Sequence, residues 1–560
     1  MLPLLPLLIA FHTLTSPYTK VEESFTLHAV RDLLLHGRRI EQYDHLRHPG
    51  PLPRSFLPPL LLAGLSKPLV TVLNVFAPIR NPMVDQLLIR LILGLLNAYA
   101  LTRVAKSLQK AFGKTEARVW VGFVGTGFHV VWWAGRTVPN MVAMVGATLA
   151  LSYLIDAFAP STLPTHRKRH IIRATTLLAL TASIVRAETA LLLAGVILAL
   201  FIKESCAKTR YEYTRAAIVT TAVAGLAGTV LSIAVDSYFW STWLLQNRAT
   251  EHLVTVPGLR GTIERGLRGV GFGTRWIWPE LWGVLFNVVE GKSELWGTSP
   301  WYTYLFPFLP KLLLSALPLV VAVPVLDPAA RRALKGWKTV LGVPVGAMVA
   351  GMSCLPHKEW RFIVYVVPWI HALAAISCGQ IWRARRRHQP TVLFRLLLLA
   401  LVGGMVANIF VTAGLAYISH HNYPGGKAME ALHQVHQSLV GAETAGNQTV
   451  RVFLPPGPRM TGASSFTQLY APPRGRWEYN TTESLNLVTP QQIWDAGFDY
   501  VVTDELEAYR DTPLSSNGQR WTQVRAVEAF AGVERRKGIK WREEVGVFAR
   551  PEGLSRFTHG

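Results

Sequence analysis

Two stretches far apart in the chain carry side chains able to do chemistry. The first, Tyr18-Thr19-Lys20-Val21-Glu22-Glu23-Ser24-Phe25, places two adjacent carboxylates shortly after an apolar run from Leu2 to Leu14. Carboxylates beside a membrane are costly unless water or a substrate receives them. One of them could act as general base on an acceptor hydroxyl, whereas a helix cap or a solvated loop start is the plainer reading. Neighbours on a helix point about 100° apart, so only one faces a reaction centre squarely, and periodicity does not choose between Glu22 and Glu23. The second stretch, Pro356-His357-Lys358-Glu359-Trp360-Arg361-Phe362, gathers His357, Lys358 and Arg361 around one carboxylate, Glu359. Such cations suit a phosphate, with lipid headgroups or an internal pair with Glu359 as the alternative. A carboxylate base and a cation cluster that stabilises a departing phosphate together suit group transfer from a lipid phosphate to a hydroxyl.

The elements that position these residues are those of a membrane protein. Of 560 residues, 50% are hydrophobic and only 16% charged, where a soluble chain carries about a quarter charged. Apolar blocks at Leu191–Ile202, Ala216–Val235, Leu312–Leu326 and Leu396–Ala416 approach the roughly 20 residues of a spanning helix. The net charge of +23 sits mostly in short links, Arg103–Arg118, His166–Arg173, Lys203–Arg215, Arg331–Lys338 and Arg383–Arg387. That is the positive-inside pattern, and it argues against a nucleic-acid partner because no soluble domain collects the charge. Cys206, Cys354 and Cys378 have no paired spacing, so neither a disulfide framework nor a metal site is expected. The N-terminal run lacks a basic leader and a small-residue cleavage site and reads as the first span.

With the basic links cytosolic, residues 16–56, 235–300, the turns at Gly135–Asn140, Arg186–Thr189 and Pro356–Phe362, and everything after His420 fall on the opposite face. The sequons at Asn447 and Asn480 agree with that orientation. Ser24–Leu35 reads as a helix along the membrane surface, and Tyr43-Asp44-His45 and Pro49-Gly50-Pro51-Leu52-Pro53-Arg54 as turns. Counting crossings puts the link Arg103–Arg118 on the wrong side unless residues 56–76 break at Ser66-Lys67-Pro68 into two short arms. Ala174–Phe201 is too long for one span and holds Arg186-Ala187-Glu188 at its centre. It is either two short spans meeting at a turn or a bundle with an internal Arg186–Glu188 pair. Ten to twelve spans are expected. The tryptophans at 240, 243, 276, 278, 282 and 296 suit a membrane-edge belt or stacking on sugar rings. The tail, 421–560, with strand-like runs at Val450–Leu454, Tyr500–Thr503 and Val545–Ala549, is expected to form a small lumenal α/β domain beside a helical membrane domain, 1–420.

The two chemical stretches, with Tyr43-Asp44-His45, Gly50-Pro51-Leu52-Pro53-Arg54-Ser55-Phe56 and Arg136-Thr137-Val138-Pro139-Asn140, closely resemble the dolichyl-phosphate-mannose-dependent mannosyltransferases. The Lys-Val-Glu-Glu-Ser-Phe form is most similar to the branch that adds an eighth mannose in α-1,6 linkage. The resemblance implies an inverting, all-α polytopic membrane enzyme of GT-C architecture in the endoplasmic reticulum, with its active site in the lumen. It implies dolichyl phosphate mannose as donor, a dolichyl-diphosphate oligosaccharide with seven mannoses as acceptor, and neither cofactor nor obligatory metal. It carries catalysis to Glu22 and Glu23 and donor-phosphate binding to His357, Lys358 and Arg361. Lys20, Tyr43, Asp44, His45, Arg54, Arg136 and Glu359 are weaker substrate-binding candidates. One departure is an apparent insertion at about 244–277, where the family pattern passes almost directly from Asp236-Ser237-Tyr238-Phe239-Trp240 to Trp278-Pro279-Glu280. The rival functions are a sister α-1,2-mannosyltransferase and a lipid or solute transporter.

Overall fold

Long apolar helices dominate the computed structural model, which describes all residues except 1–2, 48–51, 78–80, 247–275, 386–390, 442–443, 473, 482–488, 512–519, 535–537 and 552–560. Most of the expected insertion, Pro49-Gly50 and the end of the Asn480 sequon therefore lie outside the described residues. The chain divides into two compact units, one of residues 1–13, 25–65 and 90–414, the other of 14–24, 66–89 and 415–560.

In chain order the helices are α1 (Leu4–Thr15), α2 (Val21–His36), α3 (Asp44–Arg47), α4 (Leu57–Phe76), α5 (Met83–Phe112), α6 (Lys114–Gly125), α7 (Phe128–Val131), α8 (Pro139–Phe158), α9 (Pro164–Ile184), α10 (Thr189–Cys206) and α11 (Glu212–Gln246). Next come α12 (Pro279–Val284), α13 (Phe308–Leu313), α14 (Ala316–Leu326), α15 (Pro328–Ala333), α16 (Val343–Ser353), α17 (Val366–Ala384) and α18 (Val392–His420). Among the described residues α4, α5, α8, α10, α11 and α18 are long and apolar enough to cross a bilayer, and a pair bent by 96°, Trp301–Leu313 with Ala316–Leu326, makes a seventh span if counted as one. The expected ten to twelve is reached only if shorter or more polar helices also cross. α1 has 12 residues, and α9 opens with the basic run His166–Arg173.

In the first unit α8 packs against α9, α9 against α11, and α10 against α16. The α10–α16 approach depends on Gly195, where an added Cβ would lie 2.5 Å from the Pro344 Cα. Small residues let helix backbones approach closely without a hydrophobic driving force between them. α4 corrects the expected break at Ser66-Lys67-Pro68, because it is one helix of 20 residues with Pro68 inside. Proline removes one backbone bond, but apolar helices keep it where hydroxyls or local adjustments satisfy the freed carbonyl. At the second expected break there are two helices and an internal ion pair, though of the two helices only α10 is among those long and apolar enough to cross a bilayer. α9 ends at Ile184, α10 starts at Thr189, and the turn between them carries the Arg186–Glu188 ion pair.

In the second unit α19 (Pro424–Val440) packs on a mixed five-stranded sheet ordered β2-β1-β3-β5-β4, with β1 Arg451–Phe453, β2 Glu478–Asn480, β3 Tyr500–Thr503, β4 Thr522–Glu534 and β5 Gly538–Ala549. β1 pairs in parallel with β2 and β3, and β5 antiparallel with β3 and β4. Side chains alternate across a strand. Tyr500 and Val502 therefore join one core with Met429, Leu432 and Trp477, while Val501 joins another with Phe498, Trp521 and Phe548. The three strand-like runs read from the sequence fall on β1, β3 and β5.

Candidate functional site

The acidic stretch belongs to the second unit and starts α2. Glu23 is buried, and its Oε1 accepts the Lys20 N–H at 3.0 Å. That is the return half of a capping box, made by the third residue of the helix. Glu22 is half-buried and also stands in the first turn, where the helix dipole favours a carboxylate. The segment leading into them is held from several directions. The Tyr18 hydroxyl donates to Glu430 Oε2 at 2.7 Å, and the Gln86 amide donates to the Pro17 carbonyl at 2.7 Å. The Tyr18 ring lies over Gly426, where an added Cβ would be 2.4 Å away.

The rest of the first loop lies in the other unit and forms an aromatic core. Tyr43 is buried and donates its hydroxyl to the Gly37 carbonyl. Phe56 stacks on Phe239 with ring centres 4.4 Å apart, and His45 meets Phe56 and Trp240 edge-on. Burial lowers the His45 imidazole to about 3 and raises the Asp32 carboxyl, which accepts the His45 N–H at 2.8 Å, to about 7. Asp44 lies 3.9 Å from His28 and is half-buried. Tyr43 and His45 are thus packing residues here. Trp240, fully buried, is core rather than belt, and its indole donates to the Arg54 carbonyl at 3.0 Å. Asp236 accepts the Phe56 N–H at 2.6 Å, so the start of the second loop fixes the end of the first.

The cation motif sits in a loop that closes on residues 297–299. Lys358, 6% exposed, donates to the Ser299 carbonyl at 3.1 Å and to the Leu355 carbonyl. His357 bridges the Gly297 carbonyl and Glu359, each at 3.1 Å. Arg361 pairs with Glu359, with one hydrogen bond of 2.9 Å. Arg136 is fully buried, its guanidinium 3.7 Å from the centre of the Trp132 ring.

Beside this motif in the same unit lies a group that reasoning from the sequence found only in part. Glu188 Oε1 accepts from Arg186 Nε at 2.8 Å, from Tyr365 at 3.1 Å and from Asn140 at 3.2 Å. Glu280 Oε2 accepts the Ala187 N–H at 2.6 Å. Arg54 lies within electrostatic reach of Arg186, Glu280, Glu188 and Arg361. Burial, with Arg186 nearby, lowers the Arg54 guanidinium to about 10. Burial pushes Arg186 down as well, but Glu188 and Glu280 outweigh it and hold it above its ordinary value. Burial raises Glu280 to about 7 in spite of Arg186. The sequence signal for this group was the charged triplet in an apolar run. Glu280 and Tyr365 had no comparable signal, being single polar residues beside apolar segments.

The fold is that of the GT-C membrane glycosyltransferases. The crystal structure of ArnT from Cupriavidus metallidurans bound to undecaprenyl phosphate matches at a TM-score of 0.52 and 13% identity, covering 98% of this chain and 97% of that one. A sequence profile described as the Alg9-like mannosyltransferase family matches residues 3–459, and the chain belongs to that family. A probable Dol-P-Man:Man(7)GlcNAc(2)-PP-Dol alpha-1,6-mannosyltransferase of Schizosaccharomyces pombe is 30% identical over 509 residues, 90% of this chain and 77% of that protein. The Dol-P-Man:Man(7)GlcNAc(2)-PP-Dol alpha-1,6-mannosyltransferase of Saccharomyces cerevisiae is 28% identical over 567 residues, 97% of this chain and 90% of that protein. The matches to GPI mannosyltransferase 3 are partial, such as 34% over 94 residues with the Debaryomyces hansenii protein.

Proposed function

We propose that this multi-pass membrane protein transfers mannose from dolichyl phosphate mannose to the seven-mannose dolichyl-diphosphate oligosaccharide, in α-1,6 linkage and with inversion at the anomeric carbon. The observation that carries the reading is the likeness, over nine-tenths of the chain or nearly so, to α-1,6-mannosyltransferases named for that donor and acceptor. The site is lumenal and the membrane that of the endoplasmic reticulum, in keeping with the basic links on the cytosolic side. Residues 1–420 form the catalytic membrane domain and 421–560 a lumenal domain.

In this reading Glu22 is the general base that takes the proton of the acceptor 6-hydroxyl as its oxygen attacks the anomeric carbon, while the phosphate leaves with the bonding electrons. Glu23 holds the helix start. Arg361, Lys358 and His357 bear on the donor phosphate, and the carboxylate of Glu359 keeps the loop cations in position.

The test is transfer from dolichyl phosphate mannose to the seven-mannose acceptor by the purified full-length chain, with product linkage read out. An α-1,6-linked eighth mannose is expected. Transfer in α-1,2 linkage, or none by folded protein, would overturn the assignment.

A further inference from the structure

The Arg186-Ala187-Glu188 turn is held firmly on one side, and on the other it carries polar atoms with no partner among the described residues. Three donors converge on Glu188 Oε1, from Arg186, Tyr365 and Asn140, and among the described residues Oε2 accepts no hydrogen bond. Arg186 uses Nε on that carboxylate, and its two terminal nitrogens make no hydrogen bond with the described residues. Glu280 is 8% exposed and commits Oε2 to the Ala187 N–H, while its Oε1 has no partner among the described residues. The Arg54 side chain makes no ion pair with them, although its backbone is anchored by the Trp240 indole. Arg186, Glu188 and Glu280, each held by the protein at one end, and the Arg54 guanidinium within electrostatic reach of them thus leave donors and acceptors uncommitted among the described residues.

A simple anion would suit the guanidiniums and repel the carboxylates. A neutral sugar would suit the carboxylates but leave the terminal nitrogens of Arg186, which is already ion-paired with Glu188 through Nε, and the Arg54 guanidinium without a charged hydrogen-bond acceptor. A ligand that joins hydroxyls to a phosphate satisfies both. We propose that Arg54, Arg186, Glu188 and Glu280 form a headgroup subsite for a glycosyl phosphate, the guanidiniums taking phosphate oxygens and the carboxylates taking sugar hydroxyls. The subsite deepens the mannosyl-transfer reading and rests on it for the identity of the sugar. His357 and Lys358 each spend part of their hydrogen-bonding capacity on backbone carbonyls, so Arg54 and Arg186 would supplement, on the same phosphate, the cations of the motif at 356–362.

The experiment measures equilibrium binding to the full-length protein in nanodiscs of a short-chain dolichyl phosphate mannose and of the same lipid phosphate without mannose. Glu188→Gln keeps the shape and the acceptor at Oε1 but removes the charge that strengthens a hydroxyl's hydrogen bond. It is expected to weaken the mannosylated lipid about tenfold and the bare phosphate hardly at all. Arg54→Gln, outside the Glu188 hydrogen-bond cluster, is expected to weaken both lipids about tenfold or more. Wild-type affinity of the mannosylated lipid for folded Glu188→Gln, or of both lipids for Arg54→Gln, would overturn the subsite. Should Glu188→Gln fail to fold, the Arg54 arm decides. A wild-type protein that binds the mannosylated lipid with these dependences yet never mannosylates the seven-mannose acceptor would sink the proposed reaction and leave the subsite standing.

Discussion

Glu23 commits one carboxylate oxygen to the Lys20 N–H and is buried, whereas Glu22 stands half-buried beside it. Glutamine can accept the same N–H, so Glu23→Gln should retain the helix start, while Glu23→Ala should lower stability by about 0.5–2 kcal/mol, read as a fall in the thermal midpoint in detergent. Glu22→Gln should leave that midpoint unchanged and cut kcat about a hundredfold or more with donor binding kept. Asp32 offers a prediction about stability alone. Its carboxyl is raised to about 7 by burial, so between about pH 4 and pH 7 the unfolded chain ionises while the folded one does not. Stability should therefore fall as pH rises through that window, by at most about 1.4 kcal/mol per pH unit, and level off above it. Asp32→Asn should make the slope shallower, leaving the share of Glu280, which burial raises over the same range, as thermal midpoints across pH 4 to 8 would show. Both carboxylate neighbours were legible in the sequence because acidic pairs beside an apolar run are rare. Their division of labour was not, since it depends on which one turns back to Lys20. Glu188 was visible as a charge within an apolar run, but its partners Asn140 and Tyr365, and Glu280 on the neighbouring Ala187 N–H, come from three other segments, and no local pattern announces such convergence.

At the scale of elements, the start of α2 is set by parts of the chain far away in sequence. Tyr18 packs on Gly426 at the first turn of α19 and donates to Glu430 one turn further on. A side chain at Gly426 has nowhere to go but into the Tyr18 ring, and such overpacking costs about 1–3 kcal/mol. Gly426→Ala should therefore displace the segment that carries Glu22, and kcat should fall more than donor affinity does. Tyr18→Phe keeps the ring and loses only the hydroxyl, worth ~1 kcal/mol, so it should be the milder variant in the same transfer assay. An unchanged kcat in folded Gly426→Ala would show that the acidic stretch does not depend on α19. The sequence marked the tail as a separate α/β region through β1, β3 and β5, whose apolar residues run together because both faces are covered. β4 was not legible, because its mixed sequence Thr522–Glu534 lacks clean alternation and its pairing with β5 is interrupted by three register shifts.

For the whole molecule, the unbroken α4 reopens the placement of the chain in the bilayer. The basic links account for most of the +23 charge, and the proposed orientation puts them in the cytosol with the loop after α1 in the lumen. If α4 crosses, α5 must carry Arg103, Lys106 and Lys110 toward the lumen, against the charge rule. α4 is long and apolar enough to span with only 22% of its most apolar stretch buried, so hydropathy alone favours crossing. The rule and the helix are reconciled if α4 lies along the lumenal interface instead, a placement open to an apolar helix with Lys67 and Ser66 midway along it. Phe76, near the end of α4, is 83% exposed and reports the difference directly. In a background with Cys206, Cys354 and Cys378 replaced by serine, Phe76→Cys in sealed microsomes should resist a membrane-impermeant maleimide added from the cytosolic side and react once the lumen is opened. Labelling from the cytosolic side would establish that α4 crosses. The link at Arg103–Arg118 would then be a basic segment on the lumenal face, and the charge pattern could no longer be used to orient this part of the chain.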